Sequence, residues 1–515
     1  MTVKLIILAL FFAAMIFVGF YNRKKSRDVN GFLLGGRSVG AWLTAFAYGT
    51  SYFSAVIFIG YAGQFGWKYG VASTWIGLGN AFIGSLFAWL VLGRRTRLMS
   101  QNLDSATMPD FFGKRYNSQA LRIAAAAIIF VFLIPYTASL YNGLSRLFTM
   151  AFNVDYTVLI VVMAALTCIY VVAGGYKATA ITDFIQGIIM LIGISAVVIA
   201  VLNKNGGFAG SLAALANVTD KTVSDTPGVF TSFFGPDPLG LLSVVILTSL
   251  GTWGLPQMVQ KFYAIKDERA ISKGTVISTL FAIVVAGGCY FLGGFGRLFL
   301  SGEEVAASGF DSIVPAMVDT LPDILIGIVV ILVLSASMST LSSLVLASSS
   351  TLTMDLIDAK NKLSDKKKVL LMRIFIVVFV AVSALIAILQ YKSGATFIAQ
   401  LMGISWGALA GAFLAPFIYG LYWKRTTKAS IWVSFVFSVV MMTGNMLFRQ
   451  VYPSWLQSPI NCGTVTMLFS LVIVPVVSLF TKRPEMNLLE NMFSCYDKKV
   501  MVSAILALED DSAER

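Results

Sequence analysis

Long apolar stretches recur along the whole chain, and they constrain its fold more than any other feature. A helix needs roughly 20 residues to cross the hydrocarbon core of a bilayer, and most of these stretches are about that long. Only helices or closed barrels satisfy the backbone in lipid, and the alternating pattern of a membrane barrel is absent. We therefore predict an all-α polytopic membrane protein with about thirteen transmembrane helices, called here the first to thirteenth segments: 3–21, 39–65, 71–92, 121–148, 156–172, 181–202, 239–262, 276–300, 324–352, 369–389, 395–422, 431–447 and 462–480.

The composition argues against a separate soluble enzyme. Charged residues make up 12% of the chain, about half the share in a soluble domain, and the segments with their connections use up the 515 residues. Histidine is absent, which excludes Ser-His catalysis, imidazole metal sites and histidine proton relays. The four cysteines are far apart and form no disulfide framework or metal spacing.

The basic residues predict the topology. If the N-terminus lies outside, 30 of the 38 Lys and Arg residues fall in cytoplasmic connections, among them the run KFYAIKDERAISK, which begins with Lys261 at the end of the seventh segment. The basic cluster at 23–27 follows the first apolar segment, whereas the charges of a cleaved signal precede it. We expect a retained first helix, an outer N-terminus, a cytoplasmic C-terminus and a multi-pass protein of the plasma (inner) membrane. The net charge of +13 then reflects topology rather than nucleic-acid binding.

The ninth segment carries nine hydroxyl side chains in the run SASMSTLSSLVLASSS. A buried hydroxyl without a partner costs a few kcal/mol, so these oxygens need partners. Clustered neutral oxygens without a base suit a desolvated small cation. Ser339, Ser342 and Ser343 have the spacing of one helix face.

Three other segments contain unusual polar positions. The second has a short polar centre, YGTSYFS, which predicts either an interrupted helix or a small-residue packing face. The sixth contains Asp183, either a functional carboxylate or a residue near the interface that caps a helix or pairs with Lys177. In the seventh, Pro256 predicts a kink, beside which Trp253 and Gln257 face a cavity or simply pack.

These segments together resemble the sodium:solute symporter family, most closely its sodium/proline and sodium/pantothenate branches. The resemblance rests on FLLGGRSVGAWLTAFAYG, GGYKATAITDFIQG, GLPQMVQKFYAIKD and SMSTLSSLVLASSSTLTMDL. It implies one transporter domain with a LeuT-type core of two inverted five-helix repeats, 39–202 and 239–422. An extra first helix (3–21), two additional helices (431–480) and a cytoplasmic tail (484–515) complete the chain.

The resemblance also implies the sodium ligands. The common site of the family maps onto the carbonyls of Thr50, Phe53 and Ala336 and the hydroxyls of Ser339 and Thr340. A second site, present in some members, maps onto Asp183, Ser342 and Ser343 together with Ser339. We expect one sodium ion and favour two.

The solute pocket departs from that of the proline transporters. Tyr52 stands where they carry an aspartate, Thr248 and Thr252 replace aromatic residues, and the substrate-binding arginine of sialic-acid members has no counterpart. The candidate pocket residues lie on the second, fourth and seventh segments: Ser51, Tyr52, Ser54, Tyr136, Tyr141, Trp253 and Gln257.

The expected function is sodium-coupled symport that imports a small organic solute by alternating access. An amino acid such as proline, a pantothenate-like compound or a monocarboxylate is the favoured solute, and a sugar or polyol is the alternative. A transporter-like solute sensor, a sodium leak and sodium-independent exchange are the competing functions. An intramembrane enzyme is disfavoured, because the serines have no neighbouring base. The expected partners are the solute, sodium ions and the bilayer.

Overall fold

The structure is a computed structural model that describes residues 2–21, 28–152, 154–224, 226–360, 362–393 and 398–498. Within these ranges the regular structure is helical, and pairing of extended residues is limited to isolated bridges such as Val39 with Ile265. The basic cluster at 23–27 and the tail residues 499–515 lie outside the described residues.

All thirteen predicted segments contain helix. The α-helices lie at Thr2–Tyr21, Val29–Leu34, Ala41–Tyr52, Ala62–Tyr69, Thr74–Ala81, Arg94–Asn102, Met108–Arg115, Gln119–Phe152, Tyr156–Asn203, Gly207–Ala216, Pro238–Leu250, Pro256–Ala264, Glu268–Ala282, Gly288–Gly293, Gly302–Ser308, Ile313–Asp319, Asp323–Thr351, Asp365–Ser393, Ile398–Tyr422, Lys428–Leu447, Pro459–Phe480 and Met486–Phe493. Wider π-helical turns continue several of them, at Val56–Tyr61, Phe82–Phe87, Trp89–Gly93, Ile283–Gly287 and Leu352–Ile357.

Nine helices of the described chain are long and apolar enough to cross a membrane, or ten if one bent pair counts as a span. The other predicted segments are helical but shorter or joined to a neighbour. For example, the fifth and sixth form Tyr156–Asn203, which is broken at Gly175 (φ 60°). The number of crossings and the sides of the termini remain predictions.

Two segments are interrupted in mid-course, and both breaks follow from the local sequence. In the second, helix Ala41–Tyr52 ends at Phe53, whose backbone is extended (φ −102°, ψ 94°), and helix resumes near Val56. In the seventh, a short 3-10 turn leads to the extended Leu255, and Pro256 starts a new helix bent by 48°. Proline is common at the first position of a helix, because the amide hydrogen that it lacks would have no partner within the helix there. The predicted kink is confirmed.

The ninth segment lies at the centre of the molecule. Helix Asp323–Thr351 packs against the helices of the second, fourth and sixth segments and against Pro256–Ala264. All nine hydroxyls of its polar run are buried. The eleventh segment, Ile398–Tyr422, is also almost wholly enclosed, between the fourth segment and the last two.

Candidate functional site

The break in the second segment leaves backbone carbonyls available. A carbonyl in the last turn of a helix lacks the amide donor that the next turn would supply. Thr50 is in that turn, because the helix ends at Tyr52. Its carbonyl is met by two hydroxyls from the ninth segment, 289 and 290 residues further along the chain.

Those hydroxyls belong to Ser339 and Thr340. Each lies 3.1 Å from the Thr50 carbonyl oxygen, and they lie 3.2 Å and 3.1 Å from the carbonyl of Ala336. Phe53 lies at the break itself and lines a small cavity together with Ser54 and Ala336. All five residues of the first predicted sodium set therefore lie together in the interior.

The chemistry of this set fits a hard monovalent cation. Hydroxyl and carbonyl oxygens are the ligands that such ions prefer, and none of these groups carries a proton that must be lost on binding. Among the described residues no group of three or more His, Cys, Asp or Glu side chains could hold a metal. We call Thr50, Phe53, Ala336, Ser339 and Thr340 the carbonyl–hydroxyl site.

The second predicted set is arranged differently. Ser342 donates back to the Ser339 carbonyl of its own helix at 2.8 Å. Asp183 is completely buried, and neither of its carboxylate oxygens has a hydrogen-bond partner among the described residues. Ser343 Oγ lies 2.7 Å from Ser51 Oγ. Ser342 and Ser343 follow Ser339 and Thr340 on the same helix and so adjoin the carbonyl–hydroxyl site. One further side chain, from another segment, contacts Ser343.

That side chain is Lys261, which the sequence analysis assigned to a cytoplasmic connection. It is only 2% exposed, its Nζ lies 2.9 Å from Ser343 Oγ, and it interacts electrostatically with Asp183. The assignment to a connection is wrong, because helix Pro256–Ala264 carries Lys261 into the interior. The sequence contained one indication of this placement: Lys261 follows Gln257 by four residues, which places both side chains on one face of the helix.

The solute candidates form an aromatic cluster around the two breaks. The Tyr52 and Phe53 rings stack at 4.2 Å, and Trp406 lies 6.1 Å from Tyr52 and 5.9 Å from Tyr136. Trp406, on the eleventh segment, was not predicted. Its ring nitrogen and the Tyr136 hydroxyl are both buried, and the Tyr136 hydroxyl lies close to Ser54 and to Trp406.

Gln257 and Trp253 flank the seventh-segment break, as predicted. Both polar atoms of the Gln257 amide are buried and have no hydrogen-bond partner within the described ranges. Trp253 instead donates from Nε1 to the carbonyl of Ile83 at 3.0 Å, which ties it to the third segment. Gln257 is thus the better placed of the two to contact a solute.

Two predicted pocket residues point elsewhere. The Ser51 hydroxyl is bound to Ser343 and so belongs with the Lys261 surroundings. The Tyr141 hydroxyl has no hydrogen-bond partner in the described part of the chain and lies near Cys168 of the fifth segment.

The helices and this buried oxygen cluster define a class of protein, the polytopic solute transporters. Residues 32–448 match the model of the sodium:solute symporter family, and the chain belongs to that family. The predicted membership is confirmed.

Among its relatives, the osmoregulated proline transporter OpuE of Bacillus subtilis is 30% identical over 497 residues, which cover 94% of this chain and 96% of that protein. A sodium/proline symporter of Staphylococcus aureus (strain NCTC 8325 / PS 47) is 29% identical over 499 residues, or 93% of each chain. These relatives are transporters rather than enzymes.

Solved structures share the fold. A Na+-coupled sialic acid symporter in a substrate-bound outward-open state superposes with a TM-score of 0.75 at 17% identity, over 94% of this chain and 98% of that one. Mhp1, a nucleobase-cation-symport-1 family transporter, gives 0.52 at 13% identity, over 91% and 98% of the two chains. The all-helical, LeuT-type fold is therefore established.

Proposed function

We propose that this protein is a sodium-coupled symporter that imports a small organic solute without net charge. The observation that carries the proposal is the meeting of the Ser339 and Thr340 hydroxyls with the Thr50 carbonyl at the break of the second segment. These oxygens come from two helices that are distant in sequence, so a cation bound among them would hold the helices together.

The coupling follows from this arrangement. Sodium at the carbonyl–hydroxyl site would fix the second segment against the ninth. The break in the second segment also holds Tyr52 and Phe53, which belong to the aromatic cluster. Sodium and solute would then stabilise the same conformation, so each tightens binding of the other by the same factor. Loss of sodium on the inner side loosens that conformation and frees the solute.

The proposed architecture has two inverted repeats, 39–202 and 239–422, each of which contains one of the two interrupted segments. It also places the N-terminus outside and the C-terminus in the cytoplasm of a cell whose plasma membrane holds the protein. The basic connections support this orientation.

The pocket chemistry favours a zwitterionic or neutral solute, and proline is the first candidate. Tyr52, Tyr136, Trp406 and Gln257 carry no formal charge, and they offer aromatic faces beside hydroxyl, indole and amide groups. An apolar ring fits between aromatic faces, and amide or hydroxyl groups can bind a carboxylate. The names of the two relatives described above also favour proline.

Uptake of labelled proline into proteoliposomes tests the proposal, with an inward sodium gradient and with potassium as the control. We expect sodium-dependent accumulation, and competition by unlabelled solutes then ranks amino acids, pantothenate, monocarboxylates and sugars. Ser339→Ala and Thr340→Ala should raise the sodium concentration for half-maximal uptake about fivefold or more, because each lost hydroxyl contributes about 1 kcal/mol.

Ser337→Ala is the matched control. Its hydroxyl is equally buried on the same helix but donates only to the Val333 carbonyl one turn earlier, at 2.8 Å. It should leave the sodium dependence unchanged. Wild-type sodium dependence in both Ser339→Ala and Thr340→Ala would contradict the site, and accumulation of every solute without sodium would contradict the symport.

A further inference from the structure

Lys261, Asp183, Ser343 and Ser51 form a buried group that we call the lysine cluster. Lys261 Nζ donates to Ser343 Oγ at 2.9 Å, and Ser343 Oγ lies 2.7 Å from Ser51 Oγ. The ammonium also lies 5.2 Å from the centre of the Tyr176 ring. The four side chains come from the second, sixth, seventh and ninth segments and are at most 2% exposed.

The cluster contains one buried acid and one buried base. A buried carboxylate is stable only when a positive charge or several hydrogen-bond donors compensate it. Asp183 has no hydrogen-bond donor and no direct ion pair among the described residues, and Lys261 is the positively charged group that acts on it through space. The compensating charge is therefore part of the protein.

The ammonium occupies surroundings that would otherwise suit a sodium ion. An ammonium and a sodium ion both carry one positive charge, and both are satisfied by hydroxyl and carboxylate oxygens. An ion bound to Ser343 would lie within a few ångströms of Lys261 Nζ, and two positive charges at that distance in a desolvated interior repel strongly. The second predicted sodium set therefore does not fit a sodium ion while Lys261 contacts Ser343.

The lysine cluster lies next to the carbonyl–hydroxyl site, so the positive charge of Lys261 is close to the proposed sodium ion. Ser343 lies four residues after Ser339 on one helix, a rise of about 6 Å, and Ser51 follows Thr50 directly. The contact between Ser343 and Ser51 thus joins the ninth and second segments one turn away from the proposed sodium ion, and Ser343 also accepts a hydrogen bond from Lys261. That hydrogen bond adds the seventh segment to the same junction.

We propose that Lys261 is a built-in cation that takes the place of a second sodium ion, so that this transporter couples one sodium ion to each solute. The inference rests on the proposed sodium symport. It departs from the expectation of two ions, because that expectation counted Asp183, Ser342 and Ser343 without the lysine.

The test is the number of sodium ions bound by the purified, full-length protein, measured by equilibrium binding of ²²Na⁺ at saturating sodium. We expect one ion per protein for the wild type. In Lys261→Met, which removes the charge and keeps an unbranched side chain, Asp183 should recruit a second ion and the value should rise to two. Lys261→Arg, which keeps the charge, should remain at one.

The double variant Lys261→Met with Asp183→Asn is the matched control, because it removes both charges and should return the value to one. Two bound ions in the wild type would overturn the inference while leaving the symport intact. A folded Lys261→Met protein that binds one ion would also overturn it. No sodium bound to the wild type would instead overturn the proposed function itself. The wild-type result decides the question even if Lys261→Met fails to fold.

Discussion

At the scale of single residues, Asp311 is a carboxylate whose surroundings oppose its charge. It lies in the short turn Phe310–Ser312, outside the candidate membrane spans, and is 4% exposed. One oxygen accepts from the Ile398 amide at 3.3 Å, and the other has no partner among the described residues. Burial raises the pKa of Asp311 to about 6, although the Ile398 hydrogen bond and the charge of Arg146 both act to lower it.

The raised pKa predicts how stability depends on pH. The folded protein holds the Asp311 proton more tightly than the unfolded chain does. The contribution of Asp311 to the free energy of unfolding therefore falls as pH rises from about 4 to about 6, and it is constant above that range. Asp311→Asn keeps an acceptor for Ile398 and removes the charge. We expect it to be more stable than the wild type by roughly 1–3 kcal/mol at about pH 8.

Thermal unfolding of the purified proteins across this pH range measures the difference in stability between Asp311→Asn and the wild type. That difference should narrow toward about pH 4. Asp319→Asn is the matched control, because Asp319 is an exposed carboxylate eight residues further on. An Asp311→Asn variant less stable than the wild type at every pH would mean that attraction to Arg146 outweighs the cost of burial.

At the scale of helices, two segments approach so closely that only glycine fits between them. A Cβ atom on Gly66, in helix Ala62–Tyr69, would lie 2.0 Å from the Gly293 carbonyl carbon. A Cβ on Gly293 would lie 2.0 Å from the Ala62 carbonyl oxygen. Small residues allow this contact between helices Ala62–Tyr69 and Gly288–Gly293, as they do in other membrane helix pairs.

Gly66→Ala should therefore separate the two helices and destabilise the protein by about 1–3 kcal/mol or more. Gly287→Ala is the matched control on the eighth segment, where a Cβ would meet nothing within 4 Å. Folded yield after detergent extraction and the thermal unfolding temperature measure both. Equal stability of the two variants would show that the helices can move apart without cost.

The break in the seventh segment could be predicted from the sequence, and the break in the second was one of two interpretations that its polar centre allowed. The neighbours of the side chains at both breaks could not be predicted. Pro256 and the polar run at Thr50 act on their own backbone, so local sequence reveals them. Whether Lys261 lies in a connection or in the interior depends on the 48° bend and on the rotation of the helix after it. Trp406 reaches Tyr136 from the eleventh segment through tertiary packing alone, which no spacing rule describes.

At the scale of the whole molecule, the proposed role of the lysine cluster would determine how strongly the membrane potential drives uptake. If Lys261 replaces a second sodium ion, it remains part of the chain, so only one sodium ion and the solute would cross the membrane. For a solute without net charge, a one-ion cycle moves one positive charge inward. A potential of about 100 mV then contributes about 2.3 kcal/mol to each cycle, and two ions would double that amount.

These energies predict accumulation ratios that differ widely. Imposing about 100 mV, negative inside, on proteoliposomes with equal sodium on both sides should concentrate proline about 50-fold, because 1.4 kcal/mol corresponds to a factor of ten. A two-ion cycle would reach about 2,000-fold under the same conditions. A potassium gradient with valinomycin sets the potential, and valinomycin without the gradient is the control. Accumulation well above 50-fold would require more charge than the carbonyl–hydroxyl site supplies, and Lys261 would then not replace a second ion.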